Sequence, residues 1–139
     1  MKRSYTILYI DDDADDLMLI SEAFERYTDH LTVVHANNGV EGLKTLEKMH
    51  KEHKLPCLVV IDINMPIMDG KQMLRKLRDH DAYKQLPVVM FSTSHSLTEH
   101  EFAEKYDAEF VSKPSKYLEL EALVGQFVTK CRFEAQKTA

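Results

Sequence analysis

Tryptophan is absent, and cysteine, glycine and proline are scarce: two, four and four in 139 residues. Two cysteines, Cys57 and Cys131, make no disulfide framework, so a reducing cytoplasm is the expected setting. The glycines stand at 39, 42, 70 and 125, too scattered to form a phosphate-cradling loop, which removes the P-loop and dinucleotide-binding readings. Basic charge is not in excess either. The formal net charge of −5 argues against a nucleic-acid-binding surface, which needs a concentrated basic face. No apolar run approaches the roughly 20 residues that cross a bilayer, and MKRSYTILYI has no signal-peptide pattern. Repeats, low-complexity tracts and Pro/Gly/Ser-rich linkers are missing. One domain over residues 1–139 is expected, with a core from about 5 to 131, a short tail RFEAQKTA and nothing further attached.

What is present is alternation. Five β-prone runs, YTILYI (5–10), LTVVHA (31–36), CLVVI (57–61), PVVMF (87–91) and AEFVS (108–112), are separated by helical patterns. The third and fourth runs are almost wholly apolar, as strands covered on both faces are. Apolar stripes at spacings of three and four mark the helices: Leu17, Ile20, Phe24 and Tyr27 on the first, Leu120, Leu123, Val124, Phe127, Val128 and Cys131 on the fifth. Asn38 with Glu41, and Ser96 with Glu99, read as helix starts. The long stretch EKMHKEHKLP (47–56) reads as a solvated extension of the second helix. Strict strand–helix alternation predicts an α/β fold, a doubly wound five-stranded parallel sheet with helices on both faces. Chemistry in such sheets gathers at the carboxyl ends of the strands.

Those ends carry Asp11 and Asp12, Asp62, Ser92 and Lys113. The first belongs to YIDDDADDL (9–17), five aspartates in six positions. Two carboxylates 4–5 Å apart repel by about 3–4 kcal/mol at an effective dielectric near 20. Asp13, Asp15 and Asp16 are accounted for by the cap and first turn of a helix, where negative charge is favoured by about 0.3–1 kcal/mol each. Asp11, Asp12 and Asp62 are not, and a hard divalent ion suits three open carboxylates. Singly, Ser92 reads more readily as a capping serine, Lys113 as a solvated lysine and Phe110 as plain core. His50-x-x-His53 has no partner to complete a zinc site.

Taken in order, the acidic pair of YIDDD, VIDINMPIMDG, the hydroxyl of MFSTS and the lysine–proline of FVSKP resemble a response-regulator receiver domain of two-component signalling, from about Tyr5 to Cys131. The resemblance implies a flavodoxin-like fold and a single-domain, stand-alone switch. Asp62 is then the phosphoacceptor, charged from a phosphohistidine on a sensor histidine kinase or histidine phosphotransfer protein. Mg²⁺ is implied as the cofactor, held by Asp12, Asp62 and the backbone carbonyl of Asn64, with Asp11 acting through a water. Lys113 and Ser92 would bind phosphoryl oxygens, and Ser92 and Phe110 would form the switch. It further implies a cis Lys113–Pro114 bond and an output face of the fourth helix, fifth strand and fifth helix, read by a downstream protein. Nucleic acid and membrane are not expected partners, and a homodimer stays open. The domain is expected to assist its own phosphorylation and dephosphorylation rather than to turn over a substrate. Ser at 92 and Phe at 110 replace the Thr and Tyr frequent in the family, and Thr93 stands where many members carry Ala. Two rivals remain: an aspartate-nucleophile phosphohydrolase, disfavoured because Asp62 follows the third strand and residue 64 is Asn, and a receiver that binds partners without being phosphorylated.

Overall fold

Successive side chains of a strand point to opposite faces, so nearly continuous apolar runs give two buried faces, and the computed structural model shows what covers each. It describes residues 5–27, 31–65, 67–93 and 96–137. The elements are β1 (Tyr5–Ile10), α1 (Ala14–Tyr27), β2 (Leu31–Ala36), α2 (Gly39–Lys51), β3 (Leu58–Asp62), α3 (Gly70–Asp79), β4 (Val88–Ser92), α4 (Leu97–Lys105), β5 (Glu109–Ser112) and α5 (Tyr117–Lys137). All strand pairs are parallel, in the order β2-β1-β3-β4-β5. This is the doubly wound α/β sheet that the alternation predicts.

On one face Ile7, Tyr9, Leu58, Val60, Val89 and Phe91 pack against α1 and α5. On the other Leu8, Ile10, Val59, Ile61, Val88 and Met90 pack against α2, α3 and Ala103 of α4. Every residue of β3 and β4 is buried, whereas the edge strand β5 has none. Helix starts are made as the sequence indicates. The Asn38 side chain accepts from the Glu41 N–H at 3.0 Å and Ser96 Oγ from the Glu99 N–H at 3.5 Å. Asp69 and Gln72 add a reciprocal capping box on α3.

Four expectations need correction or trimming. Asp62 and Ser92 are the last residues of β3 and β4 rather than the residues after them. The second helix stops at Lys51, not at 56; His53 takes a left-handed φ of 57° and the chain turns back, with Lys54 N–H bonded to Met49 O at 2.8 Å, ahead of Pro56, which no helix could pass smoothly. The fifth helix runs on through Lys137, so most of the expected tail is helical, in keeping with a stretch free of Gly and Pro. Finally, Cys57 and Cys131 are joined, Sγ to Sγ at 2.04 Å across a separation of 74 residues. The buried stripe of α5 carries Cys131 to the residue preceding β3. Pro66 of the Met65–Pro66 turn and the Tyr27 side chain lie outside the described residues.

Candidate functional site

Side-chain parity sorts the strand-end residues before any distance is measured. Successive strand residues point to opposite faces. Asp11 continues the Ile7–Tyr9 row, Asp62 the Leu58–Val60 row and Lys113 the Val111 row, all on the side of α1 and α5. Ser92 continues the Val88–Met90 row and Phe110 belongs with it, on the side of α4. The register confirms the level: Asp62 lies opposite Phe91, and Ser92 opposite Ser112.

The first group converges. One carboxylate oxygen each from Asp11, Asp12 and Asp62 lies within 4.8 Å of the others. Asp11 is fully buried; its Oδ1 accepts the Asp13 N–H at 3.0 Å and its Oδ2 the Tyr9 hydroxyl at 3.4 Å. Asp62 is 8% exposed and accepts the Asn64 N–H at 3.3 Å. Asp12 and Asn64 are exposed. Lys113 Nζ reaches Asp11 at 2.8 Å, Asp16 at 3.0 Å and Asp62 at 3.5 Å. No cis peptide occurs among the described residues, so Lys113–Pro114 is trans, contrary to expectation. The lysine is aimed instead by its own N–H, bonded to Ser92 O at 2.7 Å, and by the three carboxylates.

Burial sets the protonation of the cluster. It pushes the Asp62 carboxyl up to about 7; Lys113 opposes the rise, Asp11 adds to it, and the Asn64 N–H opposes it. Burial alone would loosen the Lys113 proton, but hydrogen bonds to Asp11 and Asp16 outweigh it and hold the ammonium charged. Burial, then the Asp11 charge, keeps the Tyr9 phenol neutral. Four carboxyl groups, Asp11, Asp12, Asp16 and Asp62, stand against one ammonium, and the donors are all hard oxygens. A divalent ion of the magnesium class fits such a set, with Asp11, Asp12 and Asp62 as the residues able to hold it.

The second group faces α4. Ser92 is fully buried, and its Oγ donates to Glu99 Oε2 at 3.4 Å. Phe110 is partly buried and its ring lies 5.5 Å from that of His100 on α4. A cleft of about 300 Å³, lined by Ile63, Asn64, Met65, Asp69, Lys71 and Glu99, opens between the β3–α3 loop and α4.

Every residue singled out at a strand end thus stands at one rim. Two partners were missed. Asp16, filed with the helix dipole, bonds Lys113, and Glu99, filed as a capping residue, bonds Ser92. The signal for Asp16 was available: Asp16, Ile20 and Phe24 fall at i, i+4 and i+8, and the latter two are buried, so Asp16 shares the face that α1 turns to the sheet. His50 and His53 join no metal-ligand group among the described residues.

A parallel sheet with an acidic cluster and a lysine at its carboxyl rim defines a class, and comparison with known proteins identifies it. The profile of the response regulator receiver domain matches residues 7–125. The chain belongs to that family: it is a receiver domain of a response regulator in two-component signalling. It is 34% identical over 133 residues to the response regulator Rre1 of Synechocystis sp., covering 94% of this chain and 54% of that protein. The first curated relatives are longer, and the chain spans between 13% and 63% of their length. Among solved structures, the phosphorylated cyanobacterial phytochrome response regulator RcpA matches with a TM-score of 0.81 at 24% identity, over 89% of this chain and 91% of that one. The Mn²⁺-bound form of response regulator Rcp1 matches at 0.74 and 22%, over 86% and 88%. Receiver domains take phosphate from histidine kinases and bind a divalent metal at an acidic pocket. No helix among the described residues is long and apolar enough to cross a membrane.

Proposed function

We propose that this receiver is a phosphoacceptor switch, with Asp62 as the residue phosphorylated. An Asp62 carboxylate oxygen attacks the phosphorus of a phosphohistidine on a sensor kinase or phosphotransfer protein, the P–N bond breaks, and the imidazole leaves, taking a proton from solvent. Such transfers depend on position and charge more than on nucleophile strength. Asp11, Asp12, Asp62 and the Asn64 carbonyl would hold Mg²⁺, Asp11 through a water. Bound there, the ion supplies two positive charges that offset repulsion between the carboxylates and an anionic phosphoryl group. Lys113, already among the carboxylates, offers a charged donor to a phosphoryl oxygen. Ser92 offers a neutral one, and in turning to it leaves Glu99. Water then cleaves the acyl phosphate and returns the aspartate.

The output follows from the second group. When Ser92 moves toward Asp62, space opens beside β4, and Phe110 can fill it. The faces of α4, β5 and α5 then change together for a downstream protein to read. With no hydroxyl on Phe110, the readout is one of packing. The domain occupies the chain from residue 1 to 139, assists its own phosphorylation and dephosphorylation, and contacts neither nucleic acid nor membrane. We place it in the cytoplasm, where the donor and magnesium are at hand; the Cys57–Cys131 bond counts against a reducing compartment, and thiol counting on protein alkylated in cells decides the point.

The observation that carries the reading is the meeting of Asp11, Asp12, Asp62 and Lys113 at one rim. Incubation with acetyl phosphate and Mg²⁺, followed by intact mass measurement, tests it. A phosphoryl adduct on the wild type and none on Asp62→Asn is expected. Absence from both leaves a partner-binding receiver, and an adduct that persists in Asp62→Asn moves the acceptor elsewhere.

A further inference from the structure

An ammonium group has three N–H donors, and Lys113 has three carboxylates around it. The two short contacts go to Asp11 at 2.8 Å and Asp16 at 3.0 Å, and the long one, at 3.5 Å, goes to Asp62. At rest, therefore, the lysine is drawn away from the aspartate that is to be phosphorylated. Closing on a phosphoryl oxygen at Asp62 must lengthen one of the short contacts. The two are unequal. The Asp11 side chain is wholly buried and is fixed from its other sides by the Asp13 N–H and the Tyr9 hydroxyl; the Asp16 side chain is 37% exposed, and water can replace the ammonium there. Parting a buried ion pair is much costlier than parting an exposed one.

We propose that Asp16 is a positioning residue that restrains Lys113 in the resting state and is the contact exchanged for the phosphoryl oxygen. This rests on Asp62 being the acceptor. Two consequences separate it from a simple helix-dipole role. Asp16 opposes the phosphorylated state, so removing its charge favours that state more than removing the charge of its neighbour Asp15. The first turn of α1 also senses phosphorylation directly, without passing through Ser92 and α4.

Beryllofluoride, a stable mimic of the aspartyl phosphate, provides the test, with acetyl phosphate alongside. Asp16→Asn keeps size and removes charge; it is expected to tighten beryllofluoride binding and lengthen the phosphoryl half-life by about two- to fivefold. Asp15→Asn, one position away and exposed, should change either by less than twofold, and Asp16→Glu should return both toward wild type. In the unaltered protein, carboxylate ¹³C resonances provide a readout that survives any folding defect: Asp16 should shift on beryllofluoride addition while Asp15 does not. If the wild type is phosphorylated but Asp16→Asn matches Asp15→Asn, or binds more weakly, or the Asp16 carboxylate does not shift, the inference fails and the proposed function stands. If the wild type takes up neither phosphoryl nor beryllofluoride, both fail.

Discussion

On the α1/α5 side of the sheet, Ile20, Ala23, Phe24, Val124, Phe127, Val128 and Cys131 are all 3% exposed or less. Phe127 stacks on Phe24 at 6.4 Å and meets Phe91 edge-on at 6.2 Å, and the Cys57–Cys131 bond ties α5 to the start of β3. On the α4/β5 side, Ala103 is the one buried residue of α4 among those described, and β5 buries none. Phe102 is only partly buried; its ring lies 4.8 Å from that of Tyr106, with Lys71 at 5.6 Å and Arg75 at 5.2 Å over it. The rim chemistry divides along the same line. Asp11, Asp62, Lys113 and Asp16 stand over the tightly packed half, and Ser92, Glu99 and Phe110 over the loosely packed one. A cluster that must hold charges within fractions of an ångström needs a stiff support, whereas an element that must move on signal needs a shallow one.

Perturbing each half in turn tests that division. Phe127→Ala should cost about 3–5 kcal/mol in urea unfolding, because the ring fills space between α1, α5 and β4. Breaking the Cys57–Cys131 link with reductant should cost up to about 4 kcal/mol for a loop of 74 residues; thiol titration in denaturant before and after reduction shows whether the bond was there to lose. Gly70→Ala acts between the halves. A Cβ there would stand 2.5 Å from the Asp62 carbonyl oxygen and 2.9 Å from Ile63 Cα, both backbone, so the β3–α3 loop must shift at about 1–3 kcal/mol, and the phosphoryl yield on Asp62 should drop with it.

Asp62→Asn sharpens the comparison through pH. Asp62 ordinarily titrates near 3.8, and in the folded chain near 7. Between those values the folded state holds a proton that the unfolded state has released, so stability falls as pH rises through the window and the penalty is complete above 7. Without metal, Asp62→Asn should be more stable than wild type by about 1–3 kcal/mol at pH 8 and nearly equal to it at pH 4, read from urea midpoints. Saturating Mg²⁺ should narrow the difference at pH 8. The smallest effect is expected at Phe102→Ala, about 1 kcal/mol or less. A loss there equal to that of Phe127→Ala would abolish the distinction between the two halves.

Much of this was legible one residue at a time. β1 and β2 begin and end where their apolar runs do, and the starts of α2 and α4 follow from Asn38 and Ser96, because strand period and capping are local properties of the chain. The strand-end residues were legible too, since a parallel sheet places every carboxyl end on the same rim. Asp16 and Glu99 were not, because each had a sufficient local explanation in a helix's first turn, and local patterns do not show a second partner.

The order of residues alone indicated the parallel sheet and placed Asp11, Asp12, Asp62, Ser92 and Lys113 at its carboxyl rim. Tertiary structure alone decided that Lys113 leans on Asp16, that its bond to Pro114 is trans, and that Cys57 meets Cys131. Those outcomes depend on register and packing between segments that lie 74 and 97 residues apart, and no periodicity within a segment reports where a distant one will come to rest.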